Sequence, residues 1–555
     1  MIEASCHLDP RKIPGTFLIM CRRSGSLVLL SGLIALSLLV RIYESHFHPL
    51  IANDGITFID LAKHIFSSNY GETFRSTHHH PFYPFLIKTL SIFSDNYEAI
   101  ARIISLVSGS LLIIPIFFLA RGLYGPRVAL VSSLFIIFDR NLAFISTQVL
   151  SESLYLFLLC LGIYCGWLVL ERTSLVFFTT ISFSLAYLTK PEGILGLAIF
   201  FLWYLINQRF VWKATLAHLI RAGVSIIIIF LAVASPYLIF LHNQLGTWTL
   251  SGKSYGLQAF LLKDTSEGWL SLTKDGRQTL SEALYDPNSE VGRHIKEKGR
   301  LSLMTNFDRG NFKKFFKDSF IYLIDMALPW VVFLSLVGLF RQAWSRDRLQ
   351  AELYLLSFFA YPMILFSLFF LPKPRHLLPM VPIVALWAAK GISELAAWVH
   401  ETLKGSFGIC YSLQSNKGLA IIAVIFLLPS VLFIFNPNRA KPDTWVRDIG
   451  EEIRKNLPPN PIIMTTDSKI SYYAGGGVPI LSPYEEDFSK TIFYARYNKV
   501  QYIAIDEQTT PMLSPQLAFL LDDTKAPKDI LKLIYKSNKQ PRHKILLYEI
   551  LNSER

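Results

Sequence analysis

The residues able to do chemistry lie in short breaks between long apolar runs. The first is Asp54, in the stretch Asn53-Asp54-Gly55-Ile56-Thr57-Phe58-Ile59-Asp60-Leu61-Ala62-Lys63. Apolar residues at 56, 59, 62 and 66 predict an amphipathic helix on a membrane surface, with Asp54 at or near its start. An aspartate there either caps the helix or stands at the membrane boundary as a general base. Next comes His78-His79-His80-Pro81-Phe82-Tyr83-Pro84. It lacks the i, i+4 spacing of a helical zinc site, although an extended stretch would present His78 and His80 together. Pro81 and Pro84 more simply shape a rigid start for the helix that follows, and no metal is expected.

Three further spots carry charge at span ends: Ser151-Glu152-Ser153, Thr189-Lys190-Pro191-Glu192-Gly193, and Lys373-Pro374-Arg375-His376-Leu377-Leu378-Pro379. Singly, each has a plain explanation. Lys190 and Glu192 can pair with each other, and Arg375 can snorkel to head groups. Together they put one candidate base, Asp54, and several cations at one membrane boundary. A reaction on a phospholipid-linked donor needs that combination. Lys190 and Arg375 are the cations expected at the donor phosphate, with Glu152 and Glu192 positioning them or the sugar hydroxyls.

The elements that hold these breaks are apolar. The chain of 555 residues is 52% hydrophobic and only 17% charged, with a mean hydropathy of +0.38. Spanning a ~30 Å hydrocarbon core takes ~20 helical residues. Segments 26–42, 100–120, 127–145, 151–170, 174–189, 192–206, 220–241, 320–340, 351–371, 376–398 and 418–436 qualify or nearly so. Segment 127–145 is interrupted by Asp139 and Arg140. The fold class is thus an α-helical polytopic membrane protein of about eleven transmembrane helices. The first block is read as an uncleaved signal anchor, since its basic flank precedes no small-x-small cleavage site.

The net charge of +13 raises nucleic acid as a partner, but the basic residues sit between apolar blocks and no groove-reading module accompanies them. They give a topology instead. Arg11, Lys12, Arg22 and Arg23 precede the first span, and alternate loops carry Arg121 with Arg127, Arg172, Arg209 with Lys213, Arg341 with Arg346 and Arg348, and Lys390 with Lys404 and Lys417. The positive-inside rule makes these cytoplasmic. Loops 43–99 and 243–318 and the tail then face outward. Cys6, Cys21, Cys160, Cys165 and Cys410 all fall outside those outer parts, so no disulfide framework is expected there.

The division follows as a membrane domain, 1–436, and an outer soluble α/β domain, 437–555. In the tail, Trp445, Ile449 and Ile453 share one helical face within 444–456, and Pro458, Pro459 and Pro461 end that helix. Strands are predicted at 461–465, 500–506 and 544–550, with a short helix at 468–474 and a turn at Gly475-Gly476-Gly477. The glycines follow a helix rather than a strand, which argues against a phosphate cradle.

The order DGxxFxxLA (54–62), HPFYP (80–84), SESLY (151–155), LTKPEG (188–193) and PRHLLPMVP (374–382) resembles the C-type membrane glycosyltransferase superfamily. It is most similar to the protein O-mannosyltransferase-like branch, glycosyltransferase family 39. That branch includes the aminoarabinose transferases of lipid A and related lipopolysaccharide-core glycosyltransferases. The resemblance spans nearly the whole chain. It implies a polyprenyl-phosphate sugar donor, a hydroxyl acceptor on protein, lipid or glycan at the outer face of the plasma (inner) membrane, and no cofactor. Its first-loop Asp matches Asp54, which makes Asp54 the base, and His80, Tyr83 and His376, inside the matching motifs, are taken as supporting or substrate-binding candidates. Where the family usually has an acid after that Asp and a Tyr further on, this chain has Gly55 and Phe58. A transporter of lipid-linked sugars would share the spans, but would more often show internal repeats and interrupted, charged mid-span helices. A noncatalytic scaffold is the third reading.

Overall fold

The computed structural model describes residues 24–68, 70–77, 79–171, 175–252, 271–273, 275–279, 309–369, 373–407, 416–436, 439, 444–484, 487–537 and 544–551. The basic N-terminal segment, His78, Arg172, most of loop 243–318, and Cys6, Cys21 and Cys410 lie outside these residues. The bundle comprises α1 (Ser24–Ser45), α2 (Asn53–His64), α3 (Tyr70–Thr77), α4 (Phe82–Leu90), α5 (Tyr97–Leu111), α6 (Ile113–Tyr124), α7 (Pro126–Phe138), α8 (Arg140–Thr147) and α9 (Glu152–Glu171). It continues through α10 (Val176–Thr189), α11 (Gly193–Ile206), α12 (Leu216–Leu245), α13 (Arg309–Ala327), α14 (Pro329–Phe340), α15 (Arg346–Phe369), α16 (Val381–Phe407) and α17 (Asn416–Ile434).

Among the described residues seven helices are long and apolar enough to cross a membrane, or up to nine if each bent pair counts as one span. The bends have local causes. α7 and α8 meet at 54° where Asp139 turns to cap α8, accepting from the Leu142 amide at 2.8 Å. α13 and α14 meet at 98° across Leu328, which takes a positive φ of 66° before Pro329. The remaining apolar segments of the sequence, Val176–Thr189 and Leu419–Ile434, are helices shorter than a full span. Helices α14 and α16 pack backbone to backbone. A Cβ on Gly338 would strike the Trp387 carbonyl, and one on Gly391 the Leu334 carbonyl. Small residues at such crossings are how spans associate where lipid supplies no hydrophobic drive.

The C-terminal part carries α18 (Trp445–Arg454), β1 (Ile463–Thr465), α19 (Ser468–Tyr473), β2 (Ile480–Leu481), α20 (Phe488–Tyr497), β3 (Tyr502–Asp506), β4 (Leu531–Lys536) and β5 (Ile545–Ile550). The sheet order is β2-β1-β3-β5-β4. β1 pairs in parallel with β2 and β3, while β5 runs antiparallel to β3 and β4. The sheet is therefore mixed, and the βα reading holds for its first three strands only. Val446, Ile449 and Ile453 form the buried face of α18, with Trp445 half-buried beside them.

Three residues fasten this part to α1, to the α1–α2 connection and to the start of α5. The Tyr473 hydroxyl accepts from the Ile51 amide at 2.9 Å. Arg447 donates to the Pro49 carbonyl at 2.6 Å and to Glu98 at 3.1 Å. Arg439 forks onto both Glu44 oxygens at 2.6 Å each. Such bidentate pairs fix geometry as well as adding energy.

Candidate functional site

Lys190 owes its place to the proline after it. A residue before proline is pushed from the helical region, and Lys190 accordingly ends α10 in an extended conformation, φ −148°, ψ 138°. Its ammonium turns to the start of α9 and meets Glu152 Oε1 at 3.1 Å, with both side chains largely buried. The partner is thus Glu152, not the nearby Glu192. Burial lowers the Lys190 pKa, but Glu152 and Glu192 more than reverse this, so the net shift is upward. The ammonium stays charged.

Arg375 lies on a one-turn 3-10 helix, Pro374–His376, between α15 and α16. It does not simply snorkel. Its Nη1 donates to Asp54 Oδ2 at 2.7 Å, and each side chain is a little over a third exposed. Burial again lowers the Arg375 pKa, and Asp54 and Glu152 outweigh that effect. Asp54 sits in the first turn of α2, while the N-cap position belongs to Ala52, whose side chain cannot cap. Asp54 is therefore not the N-cap residue, although an acid in the first turn still suits the helix dipole. Asp60, one and a half turns on, faces His64 at 3.5 Å instead of the site.

A narrow cavity brings the charged breaks together. Glu152, Lys190, Glu192, Arg375 and His376 line it, closed on one side by Tyr155 and Tyr361. Those two hydroxyls share a hydrogen bond of 2.7 Å. Glu192 Oε2 is buried with no hydrogen-bond partner among the described residues. His376 stacks on Phe366 at 4.5 Å. Arg375 also lines a second, wider cleft with Asp54, Asn53, Gln148 and Lys469 of the C-terminal part. Arg375 is thus the wall common to both.

His80 and Tyr83 line neither cavity. His80 is buried, with Nδ1 on the Tyr187 carbonyl at 2.6 Å and Nε2 against Ser251 at 3.3 Å. The Tyr83 hydroxyl donates to the Ala101 carbonyl at 3.0 Å and lies 2.9 Å from Ser105. Both hold the α3–α4 segment to its neighbours. His79 lies on the Phe58 ring at 4.3 Å. Among the described residues no cluster of His, Cys, Asp or Glu could hold a metal.

The departure at Gly55 has a steric reason. A Cβ on Gly55 would lie 2.8 Å from the Val149 carbonyl, so an acid does not fit this approach of α2 to the α8–α9 turn. Phe58 is 3% exposed and packs edge-on to Tyr83 at 5.1 Å, so its ring is held inside the fold. Tyr155, Tyr361, Gln148 and Lys469 were not singled out by the sequence. Tyr155 closes the SESLY motif, a usable signal. Tyr361 looks like any aromatic of a span, and Lys469 comes from another part of the fold.

Residues 78–240 match the family model of dolichyl-phosphate-mannose-protein mannosyltransferases. That stretch contains the SESLY and LTKPEG motifs, but neither Asp54 nor Arg375. No curated protein matches the chain by sequence. Among solved structures, ArnT from Cupriavidus metallidurans in the apo state aligns with a TM-score of 0.58 at 13% identity, over 94% of this chain and 98% of that one. The same protein bound to undecaprenyl phosphate aligns at 0.57 and 13%, over 95% and 98%. The apo oligosaccharyltransferase of Archaeoglobus fulgidus aligns at 0.58 and 15%, over 96% and 75%. The resemblance drawn from the motifs is borne out, by the family match over part of the chain and by the fold over nearly all of it.

Proposed function

We propose that this chain is a membrane glycosyltransferase that moves a sugar from a polyprenyl-phosphate carrier to a hydroxyl acceptor, with Asp54 as general base and Arg375 and Lys190 on the donor phosphate. One observation carries the reading. Arg375 is 2.7 Å from Asp54 and lines the same narrow cavity as Lys190, so base and phosphate-binding cations adjoin at span ends. A relative of the same fold, the Cupriavidus ArnT, has been solved with undecaprenyl phosphate bound, which supports this donor class.

The lipid tail stays in the bilayer and the phosphate sits at Arg375 in the wider cleft, about 480 Å³, against the mouth of the Lys190 cavity, which at about 10 Å³ must widen to admit a phosphate oxygen. Arg375 is suited to fork onto phosphate oxygens and Lys190 to act beside it as a point charge. The phosphate competes with Asp54 for Arg375, and a released Asp54 carboxylate can accept the acceptor's hydroxyl proton. The acceptor oxygen bonds to the anomeric carbon while that carbon's bond to the phosphate oxygen breaks. The electron pair leaves with the polyprenyl phosphate, where the two cations stabilise it. Attack opposite the phosphate inverts the centre. Glu152 holds Lys190 in position, and Glu192 and His376 face the sugar side of the same cavity.

The same reading sets the N-terminus on the cytoplasmic side of the plasma membrane, with the C-terminal part and the site on the outer side. Purified protein in detergent, given a polyprenyl-phosphate sugar together with hydroxyl acceptors of the three classes (a Ser/Thr peptide, a glycolipid and a glycan), is expected to release polyprenyl phosphate and form a glycoside with one of them. A transporter would leave the donor intact, and an intact donor overturns the proposal. A single cysteine at Ser489, in a background without native cysteines, is expected to label from outside intact cells. Labelling only from the cytoplasm overturns the orientation.

A further inference from the structure

A cleft of about 750 Å³ separates the bundle from the C-terminal part. That is within the ~300–1,000 Å³ of small-molecule sites, and the Asp54 mechanism uses none of it. On the bundle side stand Lys63 of α2 and Tyr97 and Glu98 at the start of α5. Facing it are Glu451 and Arg454 of α18 and Tyr472 of α19. Tyr97 and Tyr472 are both half-buried, so each keeps some ring surface exposed, while the Tyr97 hydroxyl accepts from Lys88 at 3.1 Å and the Tyr472 hydroxyl bonds Glu98.

The charges nearly cancel, with one cation in excess. Lys63, Arg102, Arg447 and Arg454 are set against Asp95, Glu98 and Glu451. Two of the cations are already engaged: Arg102 with Glu98 at 2.9 Å, and Arg447 with the same carboxylate at 3.1 Å. A lining of mixed sign with a single excess cation sets up only a weak field for a polyanion. It does present donors and acceptors side by side, which suits hydroxyls, since each hydroxyl both donates and accepts. Aromatic rings with a few placed polar groups are what bind the mixed apolar and hydroxylated faces of a sugar.

The cleft also adjoins the candidate base. Pro49 lines both this cleft and the one containing Asp54. The strip of backbone between them is held firmly. Arg102 donates to the His48 carbonyl at 2.9 Å and to the Pro49 carbonyl at 2.7 Å. Arg447 donates to the same Pro49 carbonyl, and the Ile51 amide donates to Tyr473. A substrate lying in the cleft thus has a fixed sill to cross.

We propose that this cleft binds the acceptor as an uncharged saccharide on the Tyr97 and Tyr472 rings, with one hydroxyl reaching past Pro49 to Asp54. The acceptor role rests on the glycosyltransferase reading; saccharide binding is measurable without it. The full chain in detergent is titrated, by saturation-transfer NMR, with short oligomers of neutral hexose and of N-acetylhexosamine, and with a phosphorylated hexose oligomer of equal length. Undecaprenyl phosphate is titrated separately as the donor-site probe. A neutral oligomer is expected to bind, and undecaprenyl phosphate is expected not to displace it. Tyr97→Ala and Arg454→Ala are each expected to weaken it about tenfold. Arg454 is exposed, so its variant keeps the test informative should Tyr97→Ala misfold. No binding of any neutral oligomer, preference for the phosphorylated one, or binding unchanged in the folded variants overturns the proposal. Saccharide binding without undecaprenyl phosphate binding upholds this site and removes the donor assignment. The reverse result removes this site and leaves the donor assignment in place.

Discussion

Two buried carboxylates show how differently one kind of cluster is used. Glu152 starts α9 and holds Lys190 at 3.1 Å. Glu352, in the second turn of α15, lies 3.5 Å from both Lys390 and Arg348. Burial is similar, with Glu152 at 5% exposure and Glu352 at 3%. The surroundings differ. Trp387 and Tyr124 both donate to Glu352 Oε2, at 2.8 and 2.9 Å, and Arg348 spends its other donors on the carbonyls of Gly338 and Leu339. That cluster is closed and serves as a fastener. Around Lys190 the wall is a cavity, one Glu192 oxygen has no hydrogen-bond partner among the described residues, and Arg375 links the cavity to Asp54. A charged group near a span end marks a site only when some of its bonding capacity is left for a ligand.

The largest expected effect breaks the fastener. Glu352→Ala leaves Lys390, Arg348 and the Trp387 N–H facing a void, and removing one partner of a buried pair costs ~3–5 kcal/mol. Thermal unfolding in detergent should show this loss, while turnover per folded molecule stays near the parent. A stable but inactive variant would make Glu352 part of a site and erase the contrast.

Asp54→Asn comes next. Loss of a general base is expected to cut turnover on the order of 10²-fold or more, equivalent to about 2.7 kcal/mol of barrier. The midpoint of unfolding should barely move, because Ala52 and not Asp54 holds the cap position. Near-parental turnover in the folded variant would remove Asp54 as base and leave Glu152 as the next carboxylate to test.

The two cations separate on a different axis. Arg375→Ala and Lys190→Ala should each weaken undecaprenyl phosphate binding about tenfold, the scale of a charge-assisted hydrogen bond. Stability should fall with Lys190→Ala, which strands the buried Glu152, and hold with Arg375→Ala, whose partner is a third exposed. Unchanged affinity in both variants would refute the phosphate assignment.

Much of this was legible in the chain, and what was not has physical reasons. Apolar runs and breaks mark the spans because a bilayer imposes a length and forbids exposed backbone. The same breaks mark Asp54, Lys190 and Arg375. Their pairings were not visible: Asp54 and Arg375 are 321 positions apart, and Lys190 chose Glu152 over the closer Glu192 only because pre-proline geometry turned it toward α9. β4 escaped notice because Leu531–Lys536 is an edge strand with Lys532 and Lys536 exposed, so its apolar signal is thin. His80 and Tyr83 stood out in a motif, and in the fold both are buried and hydrogen-bonded to neighbouring carbonyls, partners that lie far off in the sequence or on another helix.

The smallest effect belongs to the other acid of α2. Asp60 lies six residues from Asp54, and its carboxylate faces His64 at 3.5 Å with 27% of its side chain exposed. The His64 ring nitrogen already donates to the Asp60 carbonyl at 3.0 Å, so the ion pair is loose. Burial raises the Asp60 pKa above 3.8, and the nearby His64 and Lys63 do not bring it back. A raised carboxyl pKa means that the folded state holds this proton more tightly than the unfolded chain does. Its contribution is fully present below pH 3.8 and is lost as pH rises through the folded value, so at neutral pH the ionised group is a slight burden. Asp60→Asn removes the titration and the burden together. The variant should unfold within about 0.5 kcal/mol of the parent at pH 7, on the stabilised side, and lose any relative advantage as the medium is acidified. Turnover should match the parent. A loss comparable with that of Asp54→Asn would mean that α2 presents both acids to the substrate, and that the ion pair with Arg375 is no guide to which one takes the proton.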